Sequence, residues 1–595
     1  MSLHFIDFEV FKYDWLCVIA NPITKTETVI VNNPAELRRY YNAHKNEIFI
    51  GYNIRDYDSW IFKGILADFN PYEINEHIIT KGLKGYQFSN TLRDYPLITY
   101  DLLQLNTSLK QLEAMQGHSI YESSVDFRIE RKLTPDEIEE TIKYCMNDVK
   151  ETINLFTQLK SAYDSRFELI EEFNLHLSEM SKTNSQTIAT ILGAVRRECT
   201  DEFDLNFPAY LNKVVKYRSI VDWYRGFKTA KKFTDEEKKE LYGKKLSVEV
   251  AGVKHDFGWG GLHGAIPKYY GEGYYLHIDV NSYYPSLMIS HSYFSRAVGS
   301  EGSERFKMVY NENLRLKNFP ELKKKRNVYK LICNSTYGCF KDKYNPLYDP
   351  LMANNICVTG QLALLLLIEM LEPHCTLIQS NTDGLIVKLN KVNSIYEVNH
   401  DAEGYEPDDY DIVDDICWEW EQMTGVKLAF DPIITRIYQK DVNNYLFEDM
   451  TGEVESKGAY VKNLSTLDND LPIVNKAMRE YMINGTPVEK TINSATELID
   501  FQKIIKLSSK YDYVEWYDQK YTNKCYRVFA TIYKQCGSIM KVKVKKGNAE
   551  KFANTPNNAY LENGDIRGRK VPDHLDRQWY IDVTKERLNQ FGVDV

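Results

Sequence analysis

His277-Ile278-Asp279-Val280-Asn281-Ser282-Tyr283-Tyr284-Pro285-Ser286 sets a carboxylate at the end of an apolar run, with a proline just beyond it. Tyr274 to Val280 is rich in aromatic and β-branched residues and reads as a strand. Its end delivers Asp279 to a sheet edge, and Pro285 marks the start of a helix. A second carboxylate, Asp383, lies 104 residues on (383 − 279), in Ser380-Asn381-Thr382-Asp383-Gly384. Thr376-Leu377-Ile378 and Leu385-Ile386-Val387 flank it, which predicts a β-hairpin with the acid at an exposed tip, where ionisation costs little. Between the acids runs Lys330-Leu331-Ile332-Cys333-Asn334-Ser335-Thr336-Tyr337-Gly338. Lys330, Asn334 and Tyr337 share one helical face and offer a cation, an amide and a ring. Phosphoryl transfer to a hydroxyl needs acids to hold a pair of divalent ions and a cation for the leaving charge.

The N-terminal quarter holds a second set of acids. Asp7-Phe8-Glu9 follows the apolar start Leu3-His4-Phe5-Ile6, so both acids leave a strand on one side. Gly51-Tyr52-Asn53-Ile54-Arg55-Asp56-Tyr57-Asp58 comes next, and then Tyr144-Cys145-Met146-Asn147-Asp148. Tyr144 and Asp148 are i, i+4 on a helix whose start is signed by Thr134, Pro135 and Glu137. Asp7, Glu9, Asp58 and Asp148 brought together would repel one another unless cations bind, which fits a two-metal hydrolytic site.

In this order the segments resemble a family B DNA polymerase. The family's Lys-x-x-x-Asn-Ser-x-Tyr-Gly pattern is matched in full from Lys330 to Gly338. Its Asp-x-x-Ser-Leu-Tyr-Pro-Ser pattern is matched from Asp279 except that Tyr283 replaces Leu. Its Tyr-x-Asp-Thr-Asp-Ser pattern departs most, with Gln379, Asn381 and Gly384 in place of Tyr, Asp and Ser. The N-terminal acids resemble the three motifs of its 3′→5′ proofreading exonuclease.

The resemblance implies an α/β multidomain chain, an RNase H-like exonuclease followed by a right-hand palm, fingers and thumb. The expected spans are exonuclease 1–170, linker and first palm part 171–300, fingers 301–341, second palm part 342–465 and thumb 466–595. It implies that Asp279, Asp383 and the Val280 carbonyl hold two Mg²⁺ ions, with Mn²⁺ able to substitute. Asp7, Glu9, Asp58 and Asp148 hold the exonuclease pair, and Tyr144 orients water. Tyr284 becomes the gate against a ribose 2′-hydroxyl. Lys330, Asn334, Tyr337, Gly338 and Arg326 face the nucleotide. Asn53, Ser108, Leu109, Gly260, Gly261, Lys440, Tyr445 and Lys457 become DNA contacts. Gly260 and Gly261 lie in Phe257-Gly258-Trp259-Gly260-Gly261, which resembles the family's Tyr-x-Gly-Gly loop with Trp259 for Tyr, and would let backbone approach template phosphates. The usual Lys-x-Tyr spacing is absent before Tyr445, since Asn443 stands where Lys would be.

The expected partners are primer–template DNA and dNTPs, with replication accessory proteins possible and the chain itself a monomer. The gaps of 51 residues (330 − 279) and 49 residues (383 − 334) leave little room for the insertions of protein-primed members. A compact phage or mobile-element enzyme extending nucleic-acid primers is therefore expected. Asn381 and Gln379 keep one alternative open, a 3′→5′ exonuclease whose degenerate polymerase half only binds DNA; the other is a non-enzymatic replication scaffold binding DNA through its basic patches, against which the intact acids argue.

The chain has 595 residues, 43% hydrophobic, and a formal net charge of −10, which argues against a uniformly basic nucleic-acid binder. Lys323-Lys324-Lys325-Arg326 and Lys541, Lys543, Lys545 and Lys546 are local basic clusters, each readable equally as a solvated face. Ten scattered cysteines without a Cys-x-x-Cys pair predict reduced thiols rather than structural zinc. No signal peptide is read at Met1-Ser2-Leu3-His4, and the apolar run Leu362 to Ile368 is too short to span a bilayer. A cytoplasmic location, that of the host for a phage enzyme, is expected.

Overall fold

The computed structural model describes residues 2–103, 107–228, 232–392, 407–544 and 547–595. Lys545 and Lys546 lie outside them. The chain forms two mixed α/β units. Unit 1 comprises Met1–Thr183, Leu464–Ile473 and Ile492–Tyr580; unit 2 comprises Asn184–Asn463, Val474–Thr491 and Ile581–Val595. Residues 466–595, expected above as one domain, are thus shared between the two units.

Unit 1 opens with a five-stranded sheet of β1 (Leu3–Val10), β2 (Trp15–Asn21), β3 (Thr26–Val31), β4 (Ile48–Gly51) and β5 (Thr99–Asp101), in the order β3-β2-β1-β4-β5. β1 pairs antiparallel with β2 and parallel with β4, and β4 pairs parallel with β5. Alternation along β1 sends Ile6, Phe8 and Val10 into one core with Cys17, Ile19 and Phe62. Phe5 faces the other core, where Cys145, Val149, Leu155 and Phe156 of the helix Pro135–Glu172 pack. Asp7 and Glu9 share that second face with Phe5, so the same alternation aims them at the helix. The helix begins with the capping box read from sequence: Thr134 Oγ1 accepts from the Glu137 amide at 3.3 Å, and Glu137 Oε2 accepts from the Thr134 amide at 2.8 Å.

The later part of unit 1 pairs Lys503–Lys506 with Cys525–Ala530, and that strand with Ala559–Leu561. Arg527 is fully buried there. Its guanidinium donates to Gln502 Oε1 and to the carbonyls of Ala114, His118, Glu562 and Gly564, at 2.8–3.2 Å. A buried cation is tolerated only when its donors are satisfied in this way.

Unit 2 is built on a ten-stranded sheet: β6 (Leu246–Val250), β7 (Val253–Phe257), β8 (His263–Ala265), β9 (Tyr269–Val280), β10 (Thr376–Asn381), β11 (Gly384–Leu389), β12 (Leu428–Phe430), β13 (Ile434–Asp441), β14 (Asn444–Asp449) and β15 (Val454–Lys457). Long β9 lies inside it, with β11 on one edge and β13 and then β12 along the other. The helix Pro350–Leu371 corrects one expectation. Over 22 residues it is long and apolar enough to cross a membrane by length and composition, although Leu362 to Ile368 alone is not. Its most apolar 18-residue window is 94% buried within the protein, as in a core helix. All ten cysteines are free.

Candidate active sites

In unit 1, β1 brings Asp7 and Glu9 up to Cys145 of the long helix, their donor atoms within 4.8 Å of one another. Cys145 Sγ donates to Asp7 Oδ2 at 3.4 Å. Asp58 opens the helix Asp58–Leu66 and accepts the Phe8 amide at 3.2 Å. Burial lifts its carboxyl to about 7 despite that hydrogen bond. Asp7 stands well above the ordinary carboxylate range, through burial and then the charges of Asp58 and Asp148. Glu9 does so through burial and then Asp7, Asp148 and Asp58. Asp148 is also raised by burial. The four sequence-read acids thus feel one another's charge.

A cation that the sequence reading missed sits among them. Lys110 Nζ bonds Asp148 Oδ1 directly, lies 2.9 Å from Glu113 Oε1, and stands 4.9 Å from the centre of the Tyr144 ring. Burial works against its charge, but Asp148 and Glu113 outweigh it and hold the ammonium above its usual range. Glu113 is fully buried, its carboxyl raised to about 8 by burial. Tyr144 is raised by burial and then by Asp148. The signal in sequence was faint: Lys110 and Glu113 stand i, i+3, facing acids that only the fold brings close.

The expected DNA contacts here have local structural work. Ser108 caps the helix Leu109–Met115 through Gln111, and Leu109 packs on the core. Asn53 holds a left-handed conformation (φ 65°), its amide donating to Asp101 Oδ1 at 2.9 Å.

In unit 2, Gly384 pairs across the ladder with Asp279, and the Val280 amide donates to the Asp383 carbonyl at 2.7 Å. The β10–β11 hairpin with Asp383 in its turn is as the Asn-Thr-Asp-Gly segment predicts. Asp279 is raised to about 6, by desolvation and then by Asp383. Asp383 is exposed, yet desolvation raises it too, against the opposing charges of Lys457, His277 and His263. The expectation of a tip that ionises freely is corrected accordingly: its neighbours take water from it.

The Gly384 departure in this turn has a packing reason. A Cβ on Gly384 would lie 3.1 Å from the Ile278 carbonyl, 3.2 Å from His277 Nε2 and 3.5 Å from Asp279 Oδ1. The place of a serine side chain is therefore bounded by His277, whose Nδ1 lies 2.7 Å from Asp431 Oδ2. Gly261 is constrained in the same way. Its Cβ would meet Thr382 Oγ1 at 2.3 Å, and the Thr382 amide donates to the Leu262 carbonyl at 2.7 Å. Gly261 thus seats the loop on the acid-bearing turn, whereas Gly260 faces open space. Trp259 fills an aromatic nest of Phe203, Tyr224, Phe227 and Tyr242, its indole donating to the Leu241 carbonyl at 2.9 Å.

Tyr284 and Tyr337 meet at 4.2 Å between ring centres, which ties the helix Lys323–Lys341 to the helix Tyr283–Ser290 that follows Asp279. Lys330, Asn334 and Gly338 are exposed on it, and among the described residues neither Lys330 nor Asn334 makes a hydrogen bond or ion pair to either acid. Arg326 is half-buried, with its Nε unpartnered among the described residues. Lys457 stands close enough to Asp383 to lower its carboxyl. Tyr445 is buried, its hydroxyl 3.4 Å from Glu455 Oε1, and Lys440 lies 4.7 Å from the centre of the Tyr460 ring. His277, Asp431 and Glu455, also missed in sequence, bring donor atoms within 4.8 Å of one another beside Asp279.

No family model matches this chain, and no curated protein matches it. Among solved structures it is similar to the family B DNA polymerase from the hyperthermophilic archaeon Pyrobaculum calidifontis, at 12% identity and a TM-score of 0.41, over 100% of this chain and 78% of the other. That likeness is too slight to carry an argument, and the chemistry rests on the geometry above.

Proposed function

We propose that this chain is a template-directed DNA polymerase of the family B type with a 3′→5′ proofreading exonuclease. The supporting observation is the pair of carboxylate sites, one in each unit, whose acids are all shifted toward the protonated form by burial, with repulsion from their fellow acids adding to it at Asp7, Glu9 and Asp279. Repelling carboxylates that offer oxygen donors fit hard divalent cations such as Mg²⁺. Asp279 and Asp383 would hold the ions for synthesis, joined by the Val280 carbonyl; Asp7, Glu9, Asp58 and Asp148 would hold those for excision. When bound, such ions activate a hydroxyl or water and neutralise phosphate charge.

The chain's own residues do the rest. Lys330 takes charge on the triphosphate, and Tyr284, backed by Tyr337, bars a 2′-hydroxyl. Lys457 pairs with primer phosphate near Asp383. In unit 1, Lys110 partly offsets the acids' charge while Tyr144 orients the attacking water. The sheet order β3-β2-β1-β4-β5, with β4 and β5 parallel to β1, supports an RNase H-like reading of that part. One observation favours a second reading. Asn381 brings no charge to the turn, as expected of an exonuclease whose other half only binds DNA.

A labelled primer–template incubated with Mg²⁺, with and without dNTPs, decides between them. We expect extension with dNTPs and shortening without them, with extension alone lost in Asp383→Asn. Shortening in every lane would establish the second reading, and no metal-dependent change would sink both.

A further inference from the structure

His4, His44 and Glu47 meet in unit 1 outside both carboxylate sites. His4 lies on β1, three residues before Asp7; His44 ends the helix Pro34–His44; Glu47 directly precedes β4. Their donor atoms all lie within 4.8 Å of one another. His4 Nε2 at 2.5 Å and His44 Nδ1 at 2.8 Å point at one oxygen, Glu47 Oε2. The two imidazole rings are 4.4 Å apart. The His4 side chain is 2% exposed, and its other nitrogen, Nδ1, lies 2.8 Å from the Tyr40 hydroxyl.

We propose that His4, His44 and Glu47 form a binding site for a divalent transition metal of the Zn²⁺ class, clamping β1 to the helix–β4 turn. Two imidazole nitrogens and a carboxylate oxygen are a Zn²⁺ donor set, with a fourth position left for water. An imidazole ligand whose second nitrogen is anchored to a polar group is held in tautomer and orientation, as Tyr40 holds His4. Bonds of about 2.0–2.2 Å in a tetrahedron set donors about 3.3–3.5 Å apart, so Glu47 withdraws by less than about 1 Å while the two imidazole nitrogens, within 4.8 Å of each other, set the third edge. His44 and Glu47 are 33% and 31% exposed, which opens the site to an ion from solvent. Imidazole donors select this metal class over Mg²⁺, which separates the site chemically from the carboxylate sites. Without metal the same residues form a hydrogen-bonded His–Glu–His cluster, and binding distinguishes the two.

The test uses the full chain, stripped with chelator and titrated separately with Zn²⁺ and Co²⁺. Wild type is compared with His44→Ala and Glu47→Gln, which alter half-buried side chains and leave buried His4 in place; far-UV circular dichroism confirms folding. Wild type should retain one more equivalent of metal than either variant. Its Co²⁺ complex should show visible absorption that both variants lose, and excess Zn²⁺ should raise its melting temperature by a few degrees more than theirs. The carboxylate sites are common to all three proteins and cancel. Equal stoichiometry, spectra and melting in the three would overturn the proposal.

Discussion

Asp58 makes the stability of the metal-free protein depend on pH in a direction opposite to ordinary acid denaturation. Its carboxyl lies at about 7 in the folded chain against 3.8 for the unperturbed group. Between those values the folded state keeps a proton that the unfolded state has released, so stability falls as pH rises. Asp58 is 4% exposed, so solvent screens little of the effect. A shift of about 3 units, at about 1.4 kcal/mol each, gives a loss of about 4 kcal/mol between pH 4 and 8. Asn at this position still accepts the Phe8 amide through its oxygen but carries no proton to lose. Urea unfolding of wild type and Asp58→Asn in chelator, at half-unit steps from pH 4 to 8, cancels titrations outside this cluster, while Asp7 and Glu9, relieved of the Asp58 charge in the variant, shift downward and add to its gain. Asp58→Asn should gain on wild type by about 4 kcal/mol across that range, and Mg²⁺ should return part of the loss to wild type. A pH-independent difference, or one that grows in favour of wild type, would refute the reasoning.

Three further outcomes follow from the contacts described. Lys110→Met removes the cation beside Asp148, raising that acid further; the alkaline-going limb of excision should move up by about one pH unit, while a pH profile unchanged from wild type would remove Lys110 from the site. Gly384→Ser presses on His277, Ile278 and Asp279 and should slow extension about 10-fold, near 1.4 kcal/mol, with melting little changed; extension at the wild-type rate would show that the turn yields. Arg527→Met leaves four backbone carbonyls and Gln502 without their buried donor and should cost about 3 kcal/mol in urea unfolding; a loss below about 1 kcal/mol would mean that the carbonyls find other partners.

What was legible in sequence were features written in neighbouring residues. The period of β1, the Asn-Thr-Asp-Gly turn and the Thr134–Glu137 box each announce their local structure within ten residues. Lys110 was not legible as a partner of Asp148, since 38 residues separate them and only packing joins their elements. His277 stood in plain view inside a strand, but its match to Gly384 exists only across the β9–β11 ladder. The length of the helix Pro350–Leu371 was hidden by its polar residues. Asn354 and Gln361 are buried there because backbone carbonyls of Glu202 and Gly258 accept their amides, at 2.8 and 2.7 Å. A hydropathy run stops at such residues, whereas a satisfied hydrogen bond lets the core continue through them.

The Arg527 hub has a consequence for how the chain is made. The carbonyls of Ala114 and His118 are among the first parts of unit 1 to leave the ribosome, and their donor follows 409 residues after His118 (527 − 118). At about 5–20 residues per second, they wait roughly 20–80 seconds for it. Throughout that interval the nascent segment must keep those groups wet or chaperoned. A fragment ending near residue 183 would remain permanently in that waiting state, so the N-terminal carboxylate site is not one to express by simple truncation.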